Sequence, residues 1–497
     1  GRIYYEGKYV SRDIKKSIHF LELAAVNDVR AQFLLGNIFY EGILVLRDID
    51  KAIHYYSLAA NQNLPKAQNI LGIIYSEGKY VARNIDKALH YYSLAAGQNL
   101  LDAQVNLGYL YYKLHDIKKS IEFFTLAANQ NDQIAQLELG YFYLEGMYVN
   151  RDINQSILYF NLAAKQNNVN ALIALGKLYY ENKYISRDID KSVHYLTLAA
   201  KENSPIAQLF LGYIFHRGCY IARDIYKSIY YLKLAADQEN FDAQYILGQI
   251  YYDGKYIARD IKKSIHYLTL AANQNSIDAQ NLLGIIYYIG KYIPQDINKS
   301  IYFYSLAAKQ NDPESQNALG LLFYKEKLIL NDINKSIHYF TLAANQNYPI
   351  AQYNLGYIYF FDKSIQNIKK AIKYIQYSSQ NRNQDAQLLL ADLFLEGKFI
   401  KQDINEAIRL YKEVSCFNNN HAKNNLGVIF KNCFDQNEKN VGLAKIYFEE
   451  AIKNNNDILA AYNYSNILLD KNESNSNSIK LLIESSSQRF TPSMILL

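Results

Sequence analysis

The chain has 497 residues, 20% of them charged, and a formal net charge of +6 at pH 7. Half of its residues are hydrophobic, enough for a folded core. So small a positive charge excludes the strongly basic surface of a nucleic-acid-binding protein and any acidic tail. Cys219, Cys416 and Cys433 have neither metal-ligand nor disulfide-framework spacing, and no apolar run reaches the roughly eighteen residues of a membrane span. A reducing, cytoplasmic compartment is therefore expected. The N-terminus reads as starting inside a repeat, which leaves open a targeting signal upstream. Tyr is abundant at 48 residues against no Trp and two Met. Together with the wealth of Asn, Ile and Lys, this points in part to A/T-rich codon usage.

In chain order the dipeptide Leu-Gly, or its relic, places its second residue at Gly1, Gly36, Gly72, Gly108, Gly140, Gly176, Gly212, Gly248, Gly284, Gly320, Gly356, Ala391, Gly427 and Ser465. The intervals average close to 36 residues, a period that marks a helical solenoid. Each unit reads as two helices. In helix A, Ala243, Leu247, Ile250 and Tyr251 share one face, and Gly254 ends the helix. A short loop leads to helix B, whose buried side is expected to hold Ile261, Ser264, Ile265, Leu268 and Ala271. Ser or Ala recurs at the Ser264 place, which argues for close packing rather than a nucleophile. Asn275 stands where a left-handed residue would stop the helix.

An N-cap for helix B recurs at Asp13, Asp48, Asn84, Asp116, Asp152, Asp188, Asp224, Asp260, Asp296, Asp332, Asn367 and Asp403. Each stands alone in its repeat, so capping rather than metal binding is the reading. One unit, between Gly108 and Gly140, lacks four residues in its inner loop. The regular array is assigned to residues 1–430. Residues 431–497 are read as degenerate repeats of the same solenoid, with a polar linker at "DKNESNSNS" and the start of another helix A at "TPSMILL".

These residues, as in "AQYILGQIYYDG" followed by "RDIKKSIHYLTLAA", resemble the Sel-one-like repeat family, relatives of the tetratricopeptide repeat. The resemblance covers nearly the whole chain. It implies an all-α, right-handed superhelical solenoid of about thirteen helix-turn-helix repeats that binds other proteins or peptides and has no catalytic residues to carry over. Asn182 and Glu326 at the end of helix A, and Ala391 and Ser465 at the packing glycine, depart from the pattern and should loosen geometry only locally.

Six of the nine histidines, His19, His54, His90, His194, His266 and His338, occupy one place in helix B, where other repeats carry Glu122, Leu158, Tyr230, Tyr302, Lys373 or Arg409. A position so tolerant, on a polar face, offers no catalytic base its partner and pocket. No catalytic, cofactor-binding or metal site is expected, and no small-molecule substrate. The aromatic at offset +8 from the helix A alanine lies on the core face, as at Phe39 and Tyr251. Offsets +2, +6 and +9 lie on the opposite side and vary. There the chain carries Tyr40, Tyr109, Tyr112, Tyr141, Tyr180, Tyr213, His216, Tyr245, Tyr252, Tyr288, Tyr324, Tyr353 and Tyr357. In the resembling family helix A lines the concave surface, and Tyr combines contact area with an orienting hydroxyl, so these are the candidate partner-binding residues. Their alternative role is packing on the neighbouring helix A. RNA reading of the pentatricopeptide kind would need phosphate-binding cations, and Lys177 is a rare one on this face. The expectation is a non-catalytic scaffold or adaptor for protein or peptide partners. The rival is a docking or regulatory arm of a larger protein with an upstream catalytic domain such as a kinase.

Overall fold

Each helix B begins where its cap residue stands. The side-chain oxygen of every one of the twelve Asp and Asn caps accepts a hydrogen bond from the backbone N–H three residues on, as Asp188 does from Lys191 and Asn84 from Lys87. The same cap residue donates its own N–H back to helix A, as Asp260 does to the Tyr251 carbonyl at 3.0 Å. The inner loop is thereby closed from both ends. Helix A ends on a left-handed residue at Gly42, Gly78, Gly146, Gly218, Gly254, Gly290 and Gly397, and Asn182 takes the same conformation with φ 56°. Asn275 and its equivalents, Asn63, Asn99, Asn131, Asn167, Asn203, Asn311 and Asn347, stop helix B at φ near 60°.

This computed structural model describes residues 2–6, 13–43, 45–146, 149–325, 332–417, 419–432, 438–455 and 458–470. Glu326, Cys433 and the terminal stretch 471–497, with the expected linker and final helix, lie outside the described residues. The chain divides into two units, Gly1–Leu247 and Gly248–Leu497. Both are built from antiparallel helix pairs, such as Val29–Glu41 with Ile49–Asn61 in the first and Ile277–Ile289 with Ile297–Lys309 in the second. The expected all-α repeat architecture is observed. Beyond residue 430 the described residues form two further helices, Glu438–Asn455 and Ile458–Asp470.

Within a pair the two helices meet at the Leu-Gly glycine. A Cβ added to Gly36 would lie 2.5 Å from the Tyr56 ring, and one added to Gly212 would lie 2.5 Å from Leu232 Cγ. At these positions the missing side chain lets helix B press its Tyr, Phe or Leu flat on the helix A backbone. Beside this contact the serine of helix B, as at Ser192 or Ser264, donates its Oγ hydrogen to the glycine carbonyl at 2.7–2.8 Å. Ser264 is fully buried. It is thus a packing and hydrogen-bonding residue, as the Ser/Ala alternation indicated.

Between repeats the lock is polar. The glutamine that follows the helix A alanine is buried, and its Nε2 donates to a carbonyl at the end of the preceding helix B, as Gln68 does to Ala60 and Gln280 to Ala272. Its Oε1 accepts from the glutamine just before the asparagine that stops the next helix B, as in Gln98 to Gln68 and Gln310 to Gln280, at 2.8–2.9 Å. The repeats themselves provide a control. Where helix A carries Leu172 instead of glutamine, the partner position holds Glu202 instead of glutamine. Both halves of the pair change together, because a lone buried amide would be left unsatisfied.

Two outcomes follow from these contacts. Gln280→Leu leaves Ala272 and Gln310 without their partner and should destabilise its repeat by about 1–3 kcal/mol. Combining it with Gln310→Glu, the natural Leu172/Glu202 arrangement, should cost less than the two single changes together. Simple additivity in a double-mutant cycle read by hydrogen exchange would show the glutamines to be independent.

The cap carboxylates also predict the acid limb of stability. Backbone hydrogen bonding holds Asp188 and Asp224 below the ordinary 3.8, and the Lys263 ammonium does so for Asp260. A carboxylate depressed on folding stabilises above its unfolded value and loses that contribution as pH falls through its folded value. Replacing Asp188, Asp224 and Asp260 with Asn, the natural cap at Asn84 and Asn367, should leave stability at pH 7 nearly unchanged. It should flatten the decline below about pH 4. Parallel acid limbs for parent and variant would count against the caps as its source.

Candidate functional site

The aromatic wealth of the chain divides into rings that build the array and rings that remain on its surface. The first set stacks within most repeats. The offset +8 ring of helix A lies nearly parallel to a ring of helix B, as Tyr179 does to Tyr195 at 6.0 Å and Tyr251 to Tyr267 at 6.0 Å. A lysine of the first turn of helix B covers the helix A ring, as Lys191 does Tyr179 at 5.1 Å, while the same ammonium pairs with the cap Asp188 at 2.9 Å. These rings are buried or half-buried, in keeping with their assignment to the core face.

The inner-loop arginine makes a second lattice. Arg187 donates Nε to the Tyr180 carbonyl, 2.6 Å away, at the end of helix A. Its guanidinium then lies 3.7 Å from the centroid of Tyr220 in the following repeat. Arg259 does the same with the Tyr252 and Asp253 carbonyls and the Tyr292 ring, at 2.7, 2.9 and 4.0 Å. A cation thus satisfies helix-end carbonyls and bridges repeats at once.

The candidate partner-binding residues fall on both sides of this division. Tyr40, Tyr180 and Tyr252 are half-buried and turn an edge to the loop tyrosine of the next repeat, Tyr80, Tyr220 and Tyr292 respectively. Tyr109 is half-buried, and its hydroxyl donates to Glu138 on the next helix A at 2.8 Å. Burial raises the pKa of Tyr109, and the hydrogen bond to Glu138 adds to the rise. Tyr213 is half-buried with the Arg217 guanidinium 5.1 Å from its ring, and His216 and Tyr245 are also half-buried. The more open rings are Tyr112 (48% exposed), Tyr141 (37%), Tyr288 (37%) and Tyr357 (40%).

Two hollows gather members of the set. In the first unit Tyr112, Glu138, Tyr141, Phe142 and Glu145 line one. In the second unit Leu321, Tyr324, Tyr353, Asn354 and Tyr357 line another, against Phe340 and Ile358. Glu138 was not among the residues singled out from the sequence. Its signal was present: helix A carries Leu34, Ile70, Asn106, Ala174 and Phe210 at the equivalent place in the other repeats of this unit.

The histidines His19, His54, His90, His194, His266 and His338 are all exposed on helix B. Those from His54 to His338 set their rings edge-on to the following tyrosine, as His266 does to Tyr267 at 5.2 Å. Among the described residues no group of three His, Cys, Asp or Glu side chains converges as a metal site. Cys219 and Cys416 are exposed and free. No described helix is long and apolar enough to cross a membrane.

An all-α solenoid of paired 36-residue repeats, locked by glycine, glutamine and arginine contacts, is the class of structure these observations define. Its sequence match is equally defined: the Sel1 repeat model fits residues 1–25, 29–64, 65–100, 101–132, 133–168, 169–204, 205–240, 241–276, 277–312, 313–348, 349–383 and 384–413. The chain belongs to the Sel1 repeat family, within the tetratricopeptide-like superfamily. Among curated proteins none matches it. Among solved structures it is similar to c5321, a protective antigen of uropathogenic Escherichia coli strains with an SLR fold. That match has 23% identity and a TM-score of 0.57 and covers 95% of this chain and 98% of that one. A Sel1 repeat protein from Oxalobacter formigenes is 28% identical with a TM-score of 0.45, over 68% of this chain and 89% of that one. Repeats of this family typically mediate protein binding.

The arginine lattice can be tested directly. Arg259→Lys keeps the charge but loses the paired carbonyl bonds and the planar stack, and should cost about 1 kcal/mol. Faster hydrogen exchange at the end of helix Phe241–Asp253 is the expected readout, and exchange identical to the parent would overturn the bridging role.

Proposed function

We propose that the chain is a non-catalytic scaffold that holds protein or peptide partners against the helix A faces of its repeats. The carrying observation is what the lattice leaves over. The aromatic rings of offset +8 are stacked and the inner-loop rings are clamped by arginine, whereas Tyr112, Tyr141, Tyr288 and Tyr357 expose more than a third of their surface on helix A. Rings held at low entropic cost on rigid helices are what binding surfaces use as anchors. Proteins or peptides, rather than nucleic acid or a small-molecule substrate, are the partners this surface suits. It is aromatic and nearly free of cations, and its hollows are shallow and open.

Panning the full chain against a displayed library of extended twelve-residue peptides provides the test. Selected peptides should lose at least tenfold in affinity, about 1.4 kcal/mol, when Tyr141, Tyr288 and Tyr357 are replaced by Ala. Replacing Tyr226, Tyr230 and Tyr302, which are more exposed still but lie on helix B, should leave affinity unchanged. Loss only with the helix B variant, or with neither at parental helicity, would sink the proposal. Tyr180 and Tyr252 are spared in this design because their rings also hold the lattice together.

A further inference from the structure

The hollow of the first unit is unlike the rest of the helix A surface in its charge. It lies between helices Leu101–Lys113 and Gln133–Glu145, measures about 290 Å³, and is lined by Tyr112, Tyr141 and Phe142 with Glu138 and Glu145. Glu138 is half-buried, and the Tyr109 hydroxyl holds one of its oxygens, Oε1, at 2.8 Å. Neither glutamate forms an ion pair among the described residues. The field they create is felt by their neighbours: burial raises the pKa of Tyr141, and the charges of Glu138 and Glu145 raise it further.

The Tyr109 bond occupies one oxygen of Glu138 and does not by itself require a charged residue. Among the twelve repeats from Ala31 to Ala422, the equivalent helix A positions are Leu34, Ile70, Asn106, Glu138, Ala174, Phe210, Ile246, Leu282, Ala318, Asn354, Leu389 and Asn425. Glu138 is the one charged residue in that series. The other repeats pack with neutral groups there, and a half-buried carboxylate without a counter-ion carries a desolvation cost they avoid. Together with the rings of Tyr112 and Tyr141, it presents negative charge and aromatic surface to the same opening.

We infer that this hollow receives the guanidinium of an arginine side chain carried by an extended peptide partner, an inference that rests on the peptide-binding function proposed above. The occupant is chosen by charge complementarity and by geometry. A guanidinium can lie flat on a tyrosine ring while its edge donates to a carboxylate, whereas an ammonium is a point charge that cannot do both as well. The chain's own contacts illustrate the difference. Arg187 and Arg259 approach tyrosine centroids to 3.7 and 4.0 Å, closer than the 4.8 Å of Lys87, Lys177 and Lys183, although Arg47, Arg151 and Arg217 lie at 5.1, 4.9 and 5.1 Å.

The test uses the full chain and the peptides selected by panning, each remade with its arginine replaced by lysine or by citrulline, the neutral isostere. Arginine should be enriched among the selected peptides. Citrulline should weaken binding roughly fivefold or more, with lysine intermediate. The double variant Glu138→Gln, Glu145→Gln keeps an acceptor for Tyr109 and should erase the preference for arginine over citrulline at unchanged helicity and thermal midpoint. The preference should also shrink as salt is raised. Peptides that bind through the helix A tyrosines without arginine enrichment, or an arginine preference that survives the double variant, would overturn this inference and leave the scaffold reading standing. Selection of no peptide at all would overturn both.

Discussion

The close approach of helix A to helix B at the Leu-Gly glycine is the contact on which the array depends. With a Cβ at Gly36, Gly140 or Gly248 the opposing Tyr56, Phe160 or Leu268 would be met at 2.5 Å. The helices would have to separate, and the serine bond to the glycine carbonyl would lengthen with them. Overpacking of this kind typically costs about 1–3 kcal/mol at a single site. The consequence is wider in a repeat protein, since each helix pair covers its apolar face only by laying it on the next pair. An error in the spacing of one pair is passed to the face its neighbour must match. Ala391 marks how far the rule bends: it is fully buried beneath Tyr411, whose hydroxyl is held by Asp392, and both helices of that repeat remain intact.

Apolar stacking alone would let one repeat rotate or slide on the next, because hydrophobic contact carries little direction. The buried glutamines supply the direction. Most join a carbonyl of the preceding helix B to the amide of the following helix stop, so three consecutive segments are tied at one point, as Ala60, Gln68 and Gln98 are; Gln387 instead donates to Glu413 of the following helix B. Such a network is costly when half-satisfied and stable when complete. That is the physical reason Leu172 and Glu202 depart together. The arginine clamps do similar work at the other end of helix A, where Arg47 bonds the Tyr40 and Glu41 carbonyls and meets Tyr80.

Much of this was legible in the sequence because it is local. A cap such as Asp260 declares itself by its place before a helix. The stop at Asn275 declares itself by residue type, and Gly254 by the conformation it alone adopts cheaply. The core face of helix A follows from its period. What escaped were partnerships between residues about thirty or forty positions apart. Gln274 and its equivalents read only as part of a helix stop, since nothing local distinguishes an amide facing water from one facing another buried amide. Nothing local marks Tyr220 and Tyr292 as the rings on which guanidiniums stack. The helix A tyrosines were recognised as a set. Their division into lattice rings such as Tyr180 and open rings such as Tyr141 depends on the neighbouring repeat, which periodicity within one helix does not report.

That division bears on where specificity can evolve. A residue that spaces helices or ties repeats must satisfy the same geometry in every unit, and the recurring words of helix B express that constraint. A residue that touches only water and a partner is under no such obligation. On helix A, offset +6 runs through Asn37, Ile73, Tyr109, Tyr141, Lys177 and Tyr213 in the first unit. The neighbouring place that is otherwise neutral becomes Glu138 once. Departures of this kind carry information only because the lattice around them is so regular. A solenoid can therefore change its ligand one repeat at a time without disturbing its fold, provided the change stays off the glycine, glutamine and arginine positions. The charge at Glu138 meets that condition. It lies beside the lattice, borrows a single hydroxyl from Tyr109, and leaves every repeat-to-repeat tie in place.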